Sequence, residues 1–242
     1  MINIGRLHEQ FRLTVNRLDS NYNKSFSVSV IDSYLNKSQD VITERLMRHV
    51  DENTGVRNHL RVLERKEVPL KIVEKKGEYI VAGYPDDFFR LLRQNAMVKK
   101  KGCNEERKIL VRTVKSDKLS EILKDPYWKP NFEWEETVGD QASKGYYVYI
   151  QSDWTVSTVV VDYMRKPKVM AAHTLSGCTP GEPYVLATGE VVKNDGHCEF
   201  SDTYLWRYIG DLAALFAMRD LGQVDDTKTK MEELIFSEIM II

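Results

Sequence analysis

The sequence predicts an α+β fold in which N- and C-terminal helices pack together as a helical bundle, with an antiparallel β region inserted between them and long extended arms. Apolar residues recur at helical spacing near both ends of the chain, whereas the middle carries β-branched, strand-like segments. Long irregular stretches at 124–145 and 170–200 are the candidate arms. The predicted regions are an N-terminal helical region (1–66), a β-rich central region with short helices (67–169), an extended arm or loop (170–200) and C-terminal helices that pack on the N-terminal helices (201–242).

The N-terminal region should begin with two amphipathic helices. The first has an apolar residue at every third or fourth position and is expected to end near Asp19. Its apolar positions are Ile4, Leu7, Phe11, Val15 and Leu18. For the second helix, Ser29 is the expected N-cap, and Asp32 completes a variant of the capping box. An apolar stripe over residues 31–50 follows, and a short third helix is expected over 57–65.

The central region should start with strands and short helices. Residues 68–73 and 79–82 flank a Lys-Lys-Gly turn and predict a β-hairpin. Pro85 and the two acids after it favour the start of a helix, because the helix dipole is positive there. The buried side of that helix is expected to be Phe88, Leu91 and Leu92. A strand over 109–114 and a short helix capped by Ser116 come next.

The clearest strands of the chain are residues 146–150 and 156–164, where β-branched residues are dense. Only a short turn at 152–154 joins them, so we expect them to pair as a half-buried hairpin. Before them, Pro126 and Pro130 force the chain to be extended.

The C-terminal region should contain two helices. Ser201 or Asp202 caps the first, whose apolar face is broad, and Gly222 ends it in the position where helices prefer glycine. Residues 228–239 offer a second helix.

Composition and charge limit the possible functions. The 242 residues include 35 Lys and Arg against 36 Asp and Glu, and the net charge of −1 provides no overall basic field to attract nucleic acid. The first residues are too charged for a signal peptide, and no apolar stretch has the length of a membrane span. Three cysteines without a CxxC pair fit a reducing compartment, so we expect a protein made in the cytosol.

The motifs of several large enzyme classes are missing from the sequence, including GxxxxGK[ST], GxGxxG after a strand, HExxH and GxSxG. The best metal candidates are four soft or borderline ligands, His173, Cys178, His197 and Cys198. The last two are adjacent and would project in different directions, which favours ordinary loop residues and a buried thiol over a zinc site. Asp86 and Asp87 suit a helix start better than a catalytic carboxylate pair. We therefore predict no enzyme activity, metal or cofactor; a hidden active site would be sought first at Asp86, Asp87, His173 and Cys178.

A compact basic cluster consists of Lys99, Lys100 and Lys101, with Arg107 and Lys108 shortly after. The default interpretation is a solvated loop tip, and the alternative is contact with a phosphate backbone or an acidic neighbouring subunit. Four Trp and 12 Tyr exceed what a plain core requires. These aromatic residues fit either a protein interface or gaps in a core that is poor in leucine.

Several segments together carry a family resemblance. They are SYLNKSQDVITE (33–44), RNHLRVL (57–63), GEYIVAGYPD (77–86), LSEILKDPYWKP (119–130), residues 147–150, VVVDYMRKP (159–167) and a closing amphipathic helix (203–221). In this order they resemble the neck and tail-ring (head-to-tail connector) proteins of podoviruses, most closely those of crAss-like phages that infect Bacteroides. Asn58 and His59 depart from the pattern, since acids are expected at these positions. The motifs are packing and turn signatures that span nearly the whole chain.

The resemblance implies a structural virion protein of the phage neck or tail, assembled in the host cytoplasm. It implies a homo-oligomeric ring, commonly of about twelve copies, which is a heterologous assembly that closes. This ring would connect the portal to the tail and extend the DNA channel, so that DNA passes through its lumen without sequence-specific binding. The expected partners are other copies of the chain, the portal protein and adjacent ring proteins, but no membrane.

Each subunit of such a ring presents two different complementary faces. The candidate subunit-interface residues are Tyr127, Trp128, Trp134, Trp154, Arg165, Lys166 and Trp206. The alternative function is a nucleic-acid-binding accessory protein that uses the cluster Lys99, Lys100 and Lys101.

Overall fold

The computed structural model describes residues 2–18, 26–50, 53–103, 105–142, 145–170, 184–185, 191–192, 197–200, 205–222 and 226–241. Within these residues the chain forms six α-helices and a curled eight-stranded sheet, which confirms the predicted mixed α+β class. It divides into two compact units, a helical unit from residues 1–62 and 167–242 and a β-rich unit from residues 63–166. Among the described helices, none is long and apolar enough to cross a membrane.

The helices are α1 (Ile4–Leu18), α2 (Val28–Arg48), α3 (Thr54–Leu60), α4 (Ser116–Lys124), α5 (Leu205–Asp220) and α6 (Asp226–Ile241). The strands are β1 (Ile2–Asn3), β2 (Glu64–Leu70), β3 (Ile72–Lys75), β4 (Tyr79–Ala82), β5 (Phe88–Lys100), β6 (Glu106–Thr113), β7 (Glu136–Ala142), β8 (Gly145–Tyr149), β9 (Trp154–Arg165), β10 (Tyr184–Val185), β11 (Val191–Val192) and β12 (His197–Cys198). Strands β2 to β9 make up the large sheet, while β1 pairs with β12 and β10 with β11.

In the helical unit, α1 and α2 both pack against α5. Of the apolar stripe predicted for α1, the first four residues are buried and Leu18 is half-buried. At the crossing of α1 and α5, a Cβ added to Gly210 would lie 2.9 Å from Cγ of Gln10, so glycine permits the close approach. Beside it, Asp211 accepts hydrogen bonds from Gln10 Nε2 at 2.7 Å and Thr14 Oγ1 at 2.6 Å. These bonds join segments from opposite ends of the chain.

The starts of α2 and α3 differ from the predicted ones. Ser27, not Ser29, is the N-cap of α2, because Ser27 has the extended backbone of a cap and its carbonyl accepts from Ile31 N at 3.1 Å. The short helix expected over 57–65 is α3, which begins at Thr54 because Asn53 Oδ1 caps Gly55 N at 2.8 Å. A 3₁₀ turn follows, and residue 64 already belongs to β2.

The large sheet has the strand order β2-β9-β5-β6-β7-β8-β4-β3. Its edge strands β2 and β3 are separated in the chain only by Lys71, so one bent segment supplies both edges. All neighbouring strands are antiparallel except β6 and β7. The predicted hairpin within residues 68–82 is present as the β3–β4 pair, whereas residues 64–70 pair with β9 instead.

Two predictions for the β-rich unit are wrong. The helix expected after Pro85 is strand β5, which pairs with β9 from Phe88 to Lys100. Asp86 and Asp87 form a turn, and Asp87 Oδ1 accepts from Tyr163 OH at 2.8 Å. Since β5 is hydrogen-bonded to β9 and also to β6, long-range pairing overrides the local helix signal.

The predicted hairpin of residues 146–150 and 156–164 does not form either. Both segments are strands, but β8 pairs with β4 and β7, whereas β9 pairs with β2 and β5. The short turn between them therefore connects strands that are not neighbours in the sheet. The periodicity located the strands, but their partners depend on contacts far away in the sequence.

The stretch 124–145, expected to be an extended arm, is folded where it is described. It contains the last residue of α4, a series of turns and all of β7. Most of the other expected arm, 170–200, lies outside the described residues, as do Ser201 and Asp202. The C-terminal helices are present, and Gly222 follows α5 with a φ of 76°.

The core of the β-rich unit contains a close packing contact between β7 and β8. Tyr146 is fully buried, burial raises its pKa to about 12, and its hydroxyl lies 2.9 Å from Thr113 Oγ1. A Cβ added to Gly139 would lie 2.4 Å from Cε1 of this ring. The ring is enclosed by the sheet core and cannot move away cheaply, so glycine is required at this position.

We expect Gly139→Ala to lower the free energy of unfolding by about 1–3 kcal/mol, because the new methyl group overpacks the core. Chemical denaturation followed by circular dichroism measures this loss. Gly77→Ala is the matched control, since a Cβ there would have no described atom within 4 Å. Equal stabilities of the two variants would contradict the packing argument.

Candidate interaction surface

The connection between β6 and β7 builds the most exposed aromatic surface of the β-rich unit. Because these two strands are parallel, the chain must return along the sheet before β7 can begin. The return consists of α4 and of residues 125–135, here called the aromatic loop. The chain rejoins the sheet where Asn131 and Glu136 form an isolated antiparallel bridge.

Hydrogen bonds at several points hold the aromatic loop in place. Asp125 Oδ1 accepts from Tyr127 N at 2.8 Å. Asn131 Oδ1 accepts from Glu133 N at 2.9 Å and from Trp134 N at 3.2 Å. These are turns in which Asp and Asn side chains replace backbone acceptors, and they fix the conformation of the loop.

The aromatic loop is also anchored to the sheet core. Phe132 is buried and packs edge-on against Trp154 at a centroid distance of 6.0 Å. Gln151 Nε2 donates to the carbonyl of Pro130 at 2.6 Å. The loop is therefore joined to the body of the sheet through an apolar contact and a hydrogen bond.

Three large side chains of this fixed loop face solvent. Tyr127 is 74% exposed, Trp128 53% and Trp134 56%. Burying a large apolar side chain is worth about 1.5–3 kcal/mol, so their exposure forgoes a substantial stabilisation in the isolated chain. Rigid exposed aromatic residues are typical of the anchors of protein interfaces.

A groove of about 560 Å³ lies between α4, the end of β6 and Trp128. The Arg112 guanidinium stacks over the Trp128 ring at 4.4 Å and donates to the Trp128 carbonyl at 3.4 Å. Helix α4, whose residues are all described, has no buried residue, although its apolar positions follow a helical stripe. Its apolar residues Leu119, Ile122 and Leu123 are only half-buried, so less apolar surface is removed from water than is usual for an amphipathic helix.

The charges along the groove are arranged in order. Lys115 is the N-cap of α4 and Lys118 lies in its first turn, whereas Glu121 lies in its second half and Asp125 is its C-cap. None of these four side chains forms an ion pair with a described residue. Helix α4 and its two caps thus contribute two cations and then two anions to the groove, and Arg112 adds a cation from β6.

The other predicted interface residues lie elsewhere. Trp154 is only 5% exposed, beneath Phe132, and its Nε1 has no acceptor among the described residues. Arg165 is equally buried, and its Nη1 donates to the Lys166 carbonyl at 3.0 Å. Lys166 is exposed at the end of β9, and Trp206 is half-buried at the start of α5. Of the seven predicted interface residues, only Tyr127, Trp128 and Trp134 therefore lie together as exposed side chains, in the aromatic loop.

The basic cluster lies at a turn, as expected. Lys99 and Lys100 end β5, and Lys101 belongs to the turn that leads to β6. Lys100 lies 3.7 Å from Glu133 and 5.7 Å from the centre of the Phe132 ring. These contacts join the cluster to the aromatic loop.

Arg107 makes further contacts of the same kind with the aromatic loop. Its guanidinium lies 4.8 Å from the centre of the Phe132 ring and forms ion pairs with Glu105, Glu133 and Glu135 at 3.4–4.0 Å. Farther along β6, Lys108 lies 2.9 Å from Glu67 and lowers the pKa of that carboxyl through a hydrogen bond. Sequence reasoning missed the contacts with Glu133, Glu135 and Glu67, because these carboxylates are distant in the chain from the cations that they pair with.

The structure describes only part of the metal candidates. His173 and Cys178 lie outside the described residues, while His197 and Cys198 form β12. Burial raises the pKa of the Cys198 thiol to about 11, so it is protonated at neutral pH. Among the described residues, no group of three or more possible ligands is close enough to hold a metal ion.

Comparison with protein families finds no family model that matches the chain, and comparison with curated proteins finds no significant sequence match.

We expect Arg107→Gln to loosen the aromatic loop, because it removes the cation from both the Phe132 ring and the acidic residues. Ion pairs near the surface and exposed cation–π contacts are each worth up to about 1 kcal/mol. Amide hydrogen exchange should therefore rise at 125–135 with little change in β8. Lys101→Gln is the control, and equal exchange in both variants would contradict the role of Arg107 in holding the aromatic loop.

Proposed function

We propose that this chain is a structural virion protein that forms a homo-oligomeric ring in the phage neck or tail. The ring connects the portal to the tail and extends the DNA channel, and the protein works without enzymatic chemistry or a cofactor. The observation that carries the proposal is the aromatic loop, in which Tyr127, Trp128 and Trp134 are held exposed on a fixed backbone. A ring subunit needs such surfaces, because each copy must bury one on its neighbour or on the adjoining ring.

The order of the elements supports the same proposal. Helices α1 and α2 come from the start of the chain and α5 from its end, yet they pack against one another, while residues 63–166 form a separate β-rich unit. We propose that this is a helical bundle with an inserted β region, as the resemblance to neck proteins implies. In the ring, arms over 170–200 would supply the second face of each subunit.

The proposed partners are further copies of the chain, about twelve per ring as a closed heterologous assembly, together with the portal and neighbouring ring proteins. The chain carries a net charge of −1. Its overall composition therefore does not supply a strongly basic lining for the channel. This supports passage of DNA through the lumen without sequence-specific binding. The proposed location is the neck or tail of the virion, after assembly in the host cytoplasm.

Electron microscopy of the purified protein, alone and mixed with the portal protein of the same phage, tests the proposal. We expect rings in the mixed sample, and a double variant Trp128→Ala, Trp134→Ala should reduce them because two interface anchors are lost. The control is Val73→Ala, a similarly exposed apolar residue on edge strand β3. Persistent monomers in both wild-type samples would contradict the proposal.

The alternative, a nucleic-acid-binding accessory protein, depends on Lys99, Lys100 and Lys101. The carboxylates beside Lys100 and Arg107 reduce the positive field that these residues could present. We therefore expect no binding of duplex DNA at low salt. Binding whose affinity falls steeply with salt, and which is lost when the three lysines are changed to Gln, would favour this alternative.

A further inference from the structure

The four charges that α4 and its caps contribute to the groove are complementary to themselves when the helix direction is reversed. Helix residues three and four apart share a face, which aligns Lys118, Glu121 and Ile122, while the cap residues Lys115 and Asp125 line the same groove at the two ends of the helix. The cations come first and the anions last. An antiparallel second copy of this stripe would therefore place each cation opposite an anion.

The positions of the charges fit a two-fold axis. Lys115 and Asp125 are symmetric about residue 120, and Lys118 and Glu121 are symmetric about nearly the same point. A contact between identical surfaces requires this arrangement, in which residue i meets residue j and j meets i. Lys118 would then face Glu121 of the other copy, and Lys115 would face Asp125.

The groove also offers the apolar area that such a contact needs. Ile122 and Trp128 lie along it, and Trp128 is 53% exposed. The apolar residues of α4 are only half-buried, so a second helix in the groove would remove more of their surface from water. Lys118 and Glu121 are exposed and have no ion-pair partner among the described residues, so both are available to a second copy.

We propose that two free copies of this chain pair through antiparallel packing of their α4 helices about a two-fold axis, with Lys118 facing Glu121 and Lys115 facing Asp125. This contact goes beyond the proposed ring and does not depend on it, because a ring contact joins two different faces whereas this one joins a face to itself. The pair buries Trp128 of both copies.

Sedimentation velocity of the full-length protein tests the pairing without any partner. We expect a monomer–dimer equilibrium that shifts toward the monomer as salt is raised, because the facing charges are screened. Lys118→Glu and Glu121→Lys should each weaken dimerisation at least about tenfold, since by symmetry each change turns two attractive pairs into two repulsive ones. Lys101→Glu is the matched control, because it makes the same charge change at an exposed turn residue that does not line the groove.

Two combinations make the test specific. The double variant Lys118→Glu, Glu121→Lys restores complementarity within one chain and should dimerise again. An equimolar mixture of the two single variants should form heterodimers, although each variant alone is monomeric. Circular dichroism and thermal unfolding of each variant establish that it is folded.

Three outcomes would overturn the inference. One is a wild type that stays monomeric up to about 1 mM, where binding would be worth no more than about 4 kcal/mol. Another is a dimer whose affinity is the same in all charge variants. The last is a failure of both the double variant and the mixture to restore pairing. None of these results bears on ring formation in the presence of the portal, so the two proposals fail separately.

Discussion

The parallel pairing of β6 with β7 is the constraint on which the candidate interaction surface of the β-rich unit depends. Two parallel strands cannot be joined by a tight turn, so the chain has to run back outside the sheet over residues 114–135. This return produces α4, the groove and the aromatic loop in one continuous segment. An antiparallel β6–β7 pair could be joined by a connection of only a few residues. Such a connection would contain neither α4, nor the groove, nor the aromatic loop.

The same segment is held down by charges from the β5–β6 hairpin. Arg107 and Lys100 lie over Phe132 and pair with acids of the aromatic loop, while Phe132 itself packs into the sheet core. Buried Phe132 is thus an anchor, and its neighbours Trp128 and Trp134 are kept outside. The aromatic loop thus has one buried aromatic side chain that anchors it and others that stay exposed. Its exposed surface is therefore preorganised for binding.

The two proposed associations use overlapping parts of that surface. Antiparallel pairing of α4 covers Trp128, which is also among the proposed ring contacts. A subunit therefore engages either a second free copy or a ring neighbour through this residue, but not both. Since the two-fold contact depends on exposed charges and the ring contact on aromatic anchors, salt weakens the former more than the latter. In this view, binding to a portal releases subunits from the paired state.

The sequence by itself determined the mixed α+β class, the amphipathic helices at both ends and the strand character of residues 146–150 and 156–164, because these depend on local periodicity and composition. It did not determine strand partners: residues 88–92 look like a helix start after Pro85, and only hydrogen bonding to β9 and β6 makes them a strand. Likewise, Trp154 and Trp128 are alike in sequence, but one is buried and the other exposed. The tertiary structure alone decided both, since pairing and burial depend on residues brought together from distant parts of the chain.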